Sequence, residues 1–133
     1  MQSILTYLIC TAFFFAIDIL WLGVIAKNFY RKNLGFVLSP DVNWPAAVVF
    51  YLLYIAGILY FAVNPALKQL SWQTALVQGA LLGGLCYATY DLTNMATIKN
   101  WPLIVVLVDI IWGMALTGTC AVLTYLAAVR WFS

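Results

Sequence analysis

SILTYLICTAFFFAIDILWLGVIA, residues 3–26, carries a single charge, Asp18, in an otherwise apolar run. At about 1.5 Å of rise per residue, such a run coiled as a helix reaches across a hydrocarbon layer roughly 30 Å thick. A cleavable signal peptide is the rival reading. It would need a basic start, a shorter apolar core and a small-x-small motif at its end. This stretch has no basic n-region, continues past Asp18 and offers no such motif near Trp21. It reads as a spanning helix of the mature protein.

The rest of the chain agrees with that reading. Of 133 residues, 66% are hydrophobic and 8% are charged, where a soluble domain carries roughly 25% charged residues. A water-exposed surface could not be covered with so few charges, whereas lipid needs none. The net charge of +2 is small and its basic residues form neither an arm nor a stripe, which excludes a nucleic-acid partner. The chain has no His and no Glu, so the usual zinc sites and the usual proton shuttle are missing. Cys10, Cys86 and Cys120 each sit in an apolar run and read as small buried hydrophobes rather than as a disulfide framework or metal ligands. No cofactor and no metal are expected.

Hydropathy and breakers divide the chain into four predicted spans: Ser3 to Ala26, Pro45 to Val63, Trp72 to Thr97 and Pro102 to Val129. The expected fold is an all-α integral membrane bundle of four transmembrane helices, forming one domain over residues 1–133. Asn64-Pro65 should end the second span, because proline disfavours helix in the residue before it, and Lys99-Asn100 should end the third. The longest connection, Lys27 to Asn43, holds Lys27, Arg31, Lys32, Ser39, Pro40 and Asp41. In it Phe29, Tyr30, Leu34 and Phe36 are interleaved with basic residues. That pattern suits either an amphipathic segment on an anionic membrane surface or an ordinary positively charged anchor, and the anchor is the simpler reading. The first and third connections carry Lys27, Arg31, Lys32 and Lys99, against Lys68 and Arg130 on the other side. The positive-inside rule then places the first and third loops in the cytoplasm and both termini outside.

Asn-Trp-Pro occurs twice, at Asn43-Trp44-Pro45 and Asn100-Trp101-Pro102, each time opening a predicted span. The chain can therefore be read as two similar helical hairpins in the same orientation, a duplication common in small transporters. The other explanation is convergence, since Asn caps helices, Pro suits a first turn and Trp suits the membrane interface.

Asp18, Asp91 and Asp109 are the ionisable residues well inside the spans, and each costs about 2.5–3.5 kcal/mol to insert near a helix centre. Counted from Lys27, Lys99 and Trp101, all three lie roughly 12–14 Å from the same boundary. Three acids on three helices at one level predict one interior site. Residues three and four apart share a helix face, which puts Trp21 beside Asp18, Trp112 and Gly113 beside Asp109, and Tyr87 and Asn94 beside Asp91. Indole, phenol and amide N–H or O–H groups can all donate to a carboxylate. Gly79 and Gly83 form a small-x-x-x-small step for close helix packing, within the chain or in a homodimer. No Lys or Arg is expected at the depth of the acids, so they cannot all be ionised without a bound cation.

The block Tyr90-Asp91-Leu92-Thr93-Asn94, with Ala96 to Pro102 and Asp109-Ile110-Ile111-Trp112-Gly113 after it and Asp18-Ile19-Leu20-Trp21-Leu22-Gly23 near the start, resembles a family of small predicted bacterial inner-membrane proteins. That family is catalogued as domain of unknown function twenty-one seventy-seven. The resemblance covers nearly the whole chain. It implies a four-helix protein of a bacterial inner membrane and brings no activity with it.

Three functional readings stand beside one another. In the first, the ligand or proton site of Asp18, Asp91, Asp109, Asn94, Tyr87, Trp21 and Trp112 binds or transports a small lipophilic or cationic ligand. In the second, the same aspartates act as acid and base in a small lipid-modifying enzyme or its accessory subunit. In the third, they are polar glue in a structural subunit of a larger membrane complex. The expected partners are membrane lipids and a second copy or a larger complex.

Overall fold

A computed structural model describes residues 2–37 and 43–132. Ser39, Pro40 and Asp41, assigned above to the first connection, lie outside the described residues. Among those described, every regular element is a helix. Helix α1, Gln2–Leu20, runs on through a π-helical turn at Trp21–Ile25, and the short α2, Lys27–Leu34, follows after one residue. Helix α3, Trp44–Ile58, passes through a second π turn, Leu59–Val63, into α4, Asn64–Gln69. Helices α5, Trp72–Thr97, and α6, Leu103–Phe132, complete the chain. Among the described residues, three helical runs are long and apolar enough to cross a membrane: Ile4–Ile25, Trp44–Gln69 and Leu103–Trp131. Helix α5 matches them in length with 26 residues but is less apolar, diluted by Gln73, Gln78, Thr89, Asp91 and Asn94.

The expected break at Asn64-Pro65 does not occur. Asn64 keeps helical dihedrals and its N–H bonds to the Leu59 carbonyl, five residues back. A proline has no N–H to give and its ring crowds the preceding turn. The widened π turn immediately before Pro65 makes room for the ring, so the helix carries on to Gln69 instead of ending at Val63. It stops at Leu70, which takes a left-handed conformation at φ 49°. The Ser71 hydroxyl then accepts from Thr74 N–H at 3.2 Å and opens α5.

The two Asn-Trp-Pro triplets fold differently. Asn43 caps α3 through its side chain, accepting from Ala46 N–H at 3.2 Å, and Trp44 is 67% exposed. Asn100 instead adopts a left-handed φ of 64°, and Trp101 is 8% exposed, packed with Leu34, Val105 and Val106. That packing also involves the first connection. In helix α2, Leu34, Phe29 and Tyr30 press its apolar side onto the start of α6.

Helices α5 and α6 form the tightest seam, and glycine makes it possible. A Cβ on Gly83 would stand 2.0 Å from the Gly113 carbonyl oxygen, and one on Gly79 would stand 2.9 Å from that of Thr117. The Gly79/Gly83 step thus serves packing inside the chain. Helix α1 lies along α6 and also touches α3. Phe14 is fully buried among Tyr51 and Tyr54, whose rings meet it edge-on. Cys10 and Cys120 face each other as free thiols, Sγ to Sγ 3.6 Å. The α3–α4 run reaches α5 mainly through the π turn and α4, while α3 itself meets α1 around Tyr51 and Tyr54. Ile4, Leu8, Ile19, Leu53, Leu81, Leu85 and Ile111 point outward and exposed, an arrangement suited to lipid contact.

Replacing Gly83 with Leu should lower the thermal unfolding temperature of the detergent-solubilised protein by several degrees, since overpacking costs about 1–3 kcal/mol. Gly57→Ala is the control: no atom of another residue's side chain or of a neighbouring helix lies within 4 Å of its added methyl. It should leave stability unchanged or raise it by about 0.5–1 kcal/mol.

Candidate functional site

The α5–α6 seam is antiparallel, with Gly83 level with Gly113. Side chains on a helix lean toward its own N-terminus, so in this register Asp91 and Asp109 lean toward each other. Their carboxyl groups become neighbours. Asp91 has no exposed surface, and neither of its oxygens has a hydrogen-bond partner among the described residues. The Trp101 indole lies beside it, yet its buried N–H completes no bond either.

Asp109 is better provided for. The Tyr30 hydroxyl donates to Asp109 Oδ1 and accepts from Trp21 Nε1 at 3.1 Å. Burial, and then the adjoining Asp109 carboxylate, push the Tyr30 phenol above its ordinary range, so it stays a neutral donor. Asp18 accepts from Tyr51 at 3.5 Å, the outer limit of a hydrogen bond. The Trp112 indole lies close to Asp18 but its buried N–H makes no completed bond. Trp21 and Trp112 stack face to face, 4.3 Å between centroids and 10° between planes.

These groups surround an open cleft of about 630 Å³ between α1, α2, α3, α5 and α6. Of the residues singled out in the sequence, Asp18, Trp21, Tyr87, Asp109 and Trp112 line it. Asp91 lies behind Asp109 and does not reach the lining, and Asn94 is half-buried on α5 and stands apart. Lys27 and Arg31 share the cleft with the acids, although no ion pair forms among the described residues. Helix α2 folds back and sets Lys27 and Arg31 in the wall of the same cleft.

Tyr30, Tyr51 and Trp101 were not seen in the sequence as partners of the acids. Tyr30 carried a signal, because Tyr30 and Leu34 are four apart and share the apolar side of α2. Tyr51 carried none, being one aromatic residue among several on α3. The lining of the cleft offers carboxylate acceptors, aromatic faces, phenol and indole donors and two cations. Such a site can hold hydroxyl or ammonium donors and anions. Among the described residues no three His, Cys, Asp or Glu side chains converge as metal ligands would.

An all-helical bundle with apolar outer faces and sheltered carboxyls is a multi-pass membrane protein. The chain matches the family described as Predicted membrane protein (DUF2177) over residues 3–126, and it belongs to that family. No curated protein and no solved structure matches it.

Tyr30→Phe removes the donor to Asp109 and the acceptor for Trp21. It should cost about 1–3 kcal/mol, the range for stranding a buried polar partner. Thermal melts should show the loss, and tryptophan emission should shift as Trp21 loses its bond.

Proposed function

We propose that the protein binds, and by rearranging transports, a small lipophilic or cationic ligand inside the membrane, with Asp18, Asp91 and Asp109 at the site. The observation that carries this reading is the placement of Asp18 and Asp109 in the wall of an aromatic cleft within an otherwise apolar bundle. A volume of about 630 Å³ falls within the usual span for small-molecule sites. Two close carboxyls in apolar surroundings cannot both keep their charge uncompensated. An incoming cation would supply the compensating charge beside the adjoining Asp91 and Asp109 carboxyls.

The reading takes four long helices as spans. Helix α5 is less apolar than the other three, but it hides its glycine face and Asp91 against α6, which lessens what lipid must accept. It also takes the end bearing Lys27, Arg31, Lys32 and Lys99 as cytoplasmic, in a bacterial inner membrane.

The test uses a lipophilic amine titrated into the detergent-solubilised protein and followed by Trp21 and Trp112 fluorescence. Asp91→Asn and Asp109→Asn should leave the helical circular-dichroism signal intact and weaken binding about tenfold or more, as loss of a charged partner does. Wild-type affinity in both variants would sink the proposal. A second reading, an acid–base enzyme acting on a lipid, is favoured by one feature, the adjoining Asp91 and Asp109 carboxyls. An altered acyl or headgroup profile in a deletion strain would select it.

A further inference from the structure

The cleft does not end at its own walls. A second hollow of about 410 Å³, lined by Phe50, Tyr54, Cys86, Tyr87 and Tyr90, lies between α3 and α5. Phe50, Tyr87 and Tyr90 line both spaces, so the two adjoin. Its origin is the geometry of the α3–α4 run, which meets α5 mainly through the π turn and α4. The result is a furrow between α3 and α5 lined by four aromatic rings and the Cys86 thiol. Its cleft end holds two cations, Lys27 and Arg31, and two acids, Asp18 and Asp109.

A site lined by two cations and two carboxylates, with an apolar hollow adjoining it, suits one kind of molecule. A simple hydrophobe would leave four charged side chains unmatched. A lipophilic cation would match the acids and meet repulsion from Lys27 and Arg31. An anionic lipid would match the cations and meet repulsion from Asp18 and Asp109. A zwitterionic headgroup with a phosphate and a primary ammonium matches both sets, and each contact is a charge-assisted hydrogen bond. Guanidinium and ammonium groups both suit phosphate oxygens, while the three N–H donors of an ammonium suit the carboxylates.

We infer that the cleft and the adjoining furrow together hold one aminophospholipid, with its phosphate at Lys27 and Arg31, its ammonium at Asp18 and Asp109, and one acyl chain between α3 and α5. This rests on the proposed ligand-binding reading and names the ligand class. The bilayer is the source of the molecule, which reaches the furrow sideways between two helices. Lys27 and Arg31 then discriminate, and the acids confer the preference for an amine.

The test measures binding of three probes to the detergent-solubilised protein by native mass spectrometry and tryptophan fluorescence: phosphatidylethanolamine, phosphatidylglycerol and a lipophilic amine without phosphate. The wild type should prefer phosphatidylethanolamine over phosphatidylglycerol by about tenfold or more, the scale of one lost charge-assisted bond. Lys27→Gln with Arg31→Gln keeps much of the apolar stems and removes the charges. It should weaken phosphatidylethanolamine about tenfold or more and leave the lipophilic amine as tight or tighter. Unchanged phosphatidylethanolamine affinity in that double variant, with a wild-type circular-dichroism spectrum, would overturn the inference while amine binding preserved the broader reading. Equal affinity of the wild type for both phospholipids would overturn it as well. Loss of amine binding nowhere, even with Asp109→Asn, would instead bring down the proposed function itself.

Discussion

Much of the molecule follows from the absence of a few methyl groups between α5 and α6. With Gly83 against the Gly113 carbonyl and Gly79 against that of Thr117, the two backbones come closer than ordinary side chains permit. Lipid provides no hydrophobic push between helices, so close backbone contact has to supply the attraction. The antiparallel register set by these glycines also decides where Asp91 and Asp109 point. Tyr87 lies flat over Gly113, where a Cβ would stand 2.5 Å from its ring carbons, and so becomes a wall of the cleft. The seam that holds the bundle together thus also shapes its polar interior.

Helix α2 is the second determinant. Its eight residues could have been spent on the membrane surface, but Leu34 and Tyr30 turn inward onto α6 and Trp101. One short element does two jobs that pull in opposite directions. It shields Asp109 from bulk water with a phenol donor, and it delivers Lys27 and Arg31 to the same opening. The amphipathic pattern that makes it resemble a surface helix is the pattern that lets it dock, with the bundle taking the place of the bilayer as apolar partner.

What could be read from the sequence, and what could not, divides along a physical line. Membrane class and helical content follow from single-residue properties summed over long windows, and they are evident in the bare chain. The neighbours Trp21 and Trp112 were legible because a helix fixes i+3 relations. Asn94 satisfied the same arithmetic with Asp91 yet stands outside the cleft, since spacing specifies a face and not what that face meets. Tyr30 and Tyr51 come from other helices, and sequence separation hides such pairings. Pro65 misled for a different reason. Local propensity says helices stop there, but a π turn one step earlier absorbs the ring, and nothing in Leu59–Val63 announces it. The twin Asn-Trp-Pro triplets carry the same caution: identical letters cap one helix at Asn43 and bury a tryptophan at Trp101.

Helices α1 and α6 lie far apart along the chain, yet they sit side by side, in contact at Cys10 and Cys120 and through the stacked indoles of Trp21 and Trp112. This neighbourhood has a bearing on biogenesis. Asp18 leaves the ribosome long before Tyr51 or Trp112 exists, so the opening segment meets the translocon with its carboxyl unsheltered. The site can close only once α6 has been made and slots in beside α1. Insertion must therefore tolerate an interim in which an acid waits in the membrane for companions still being synthesised.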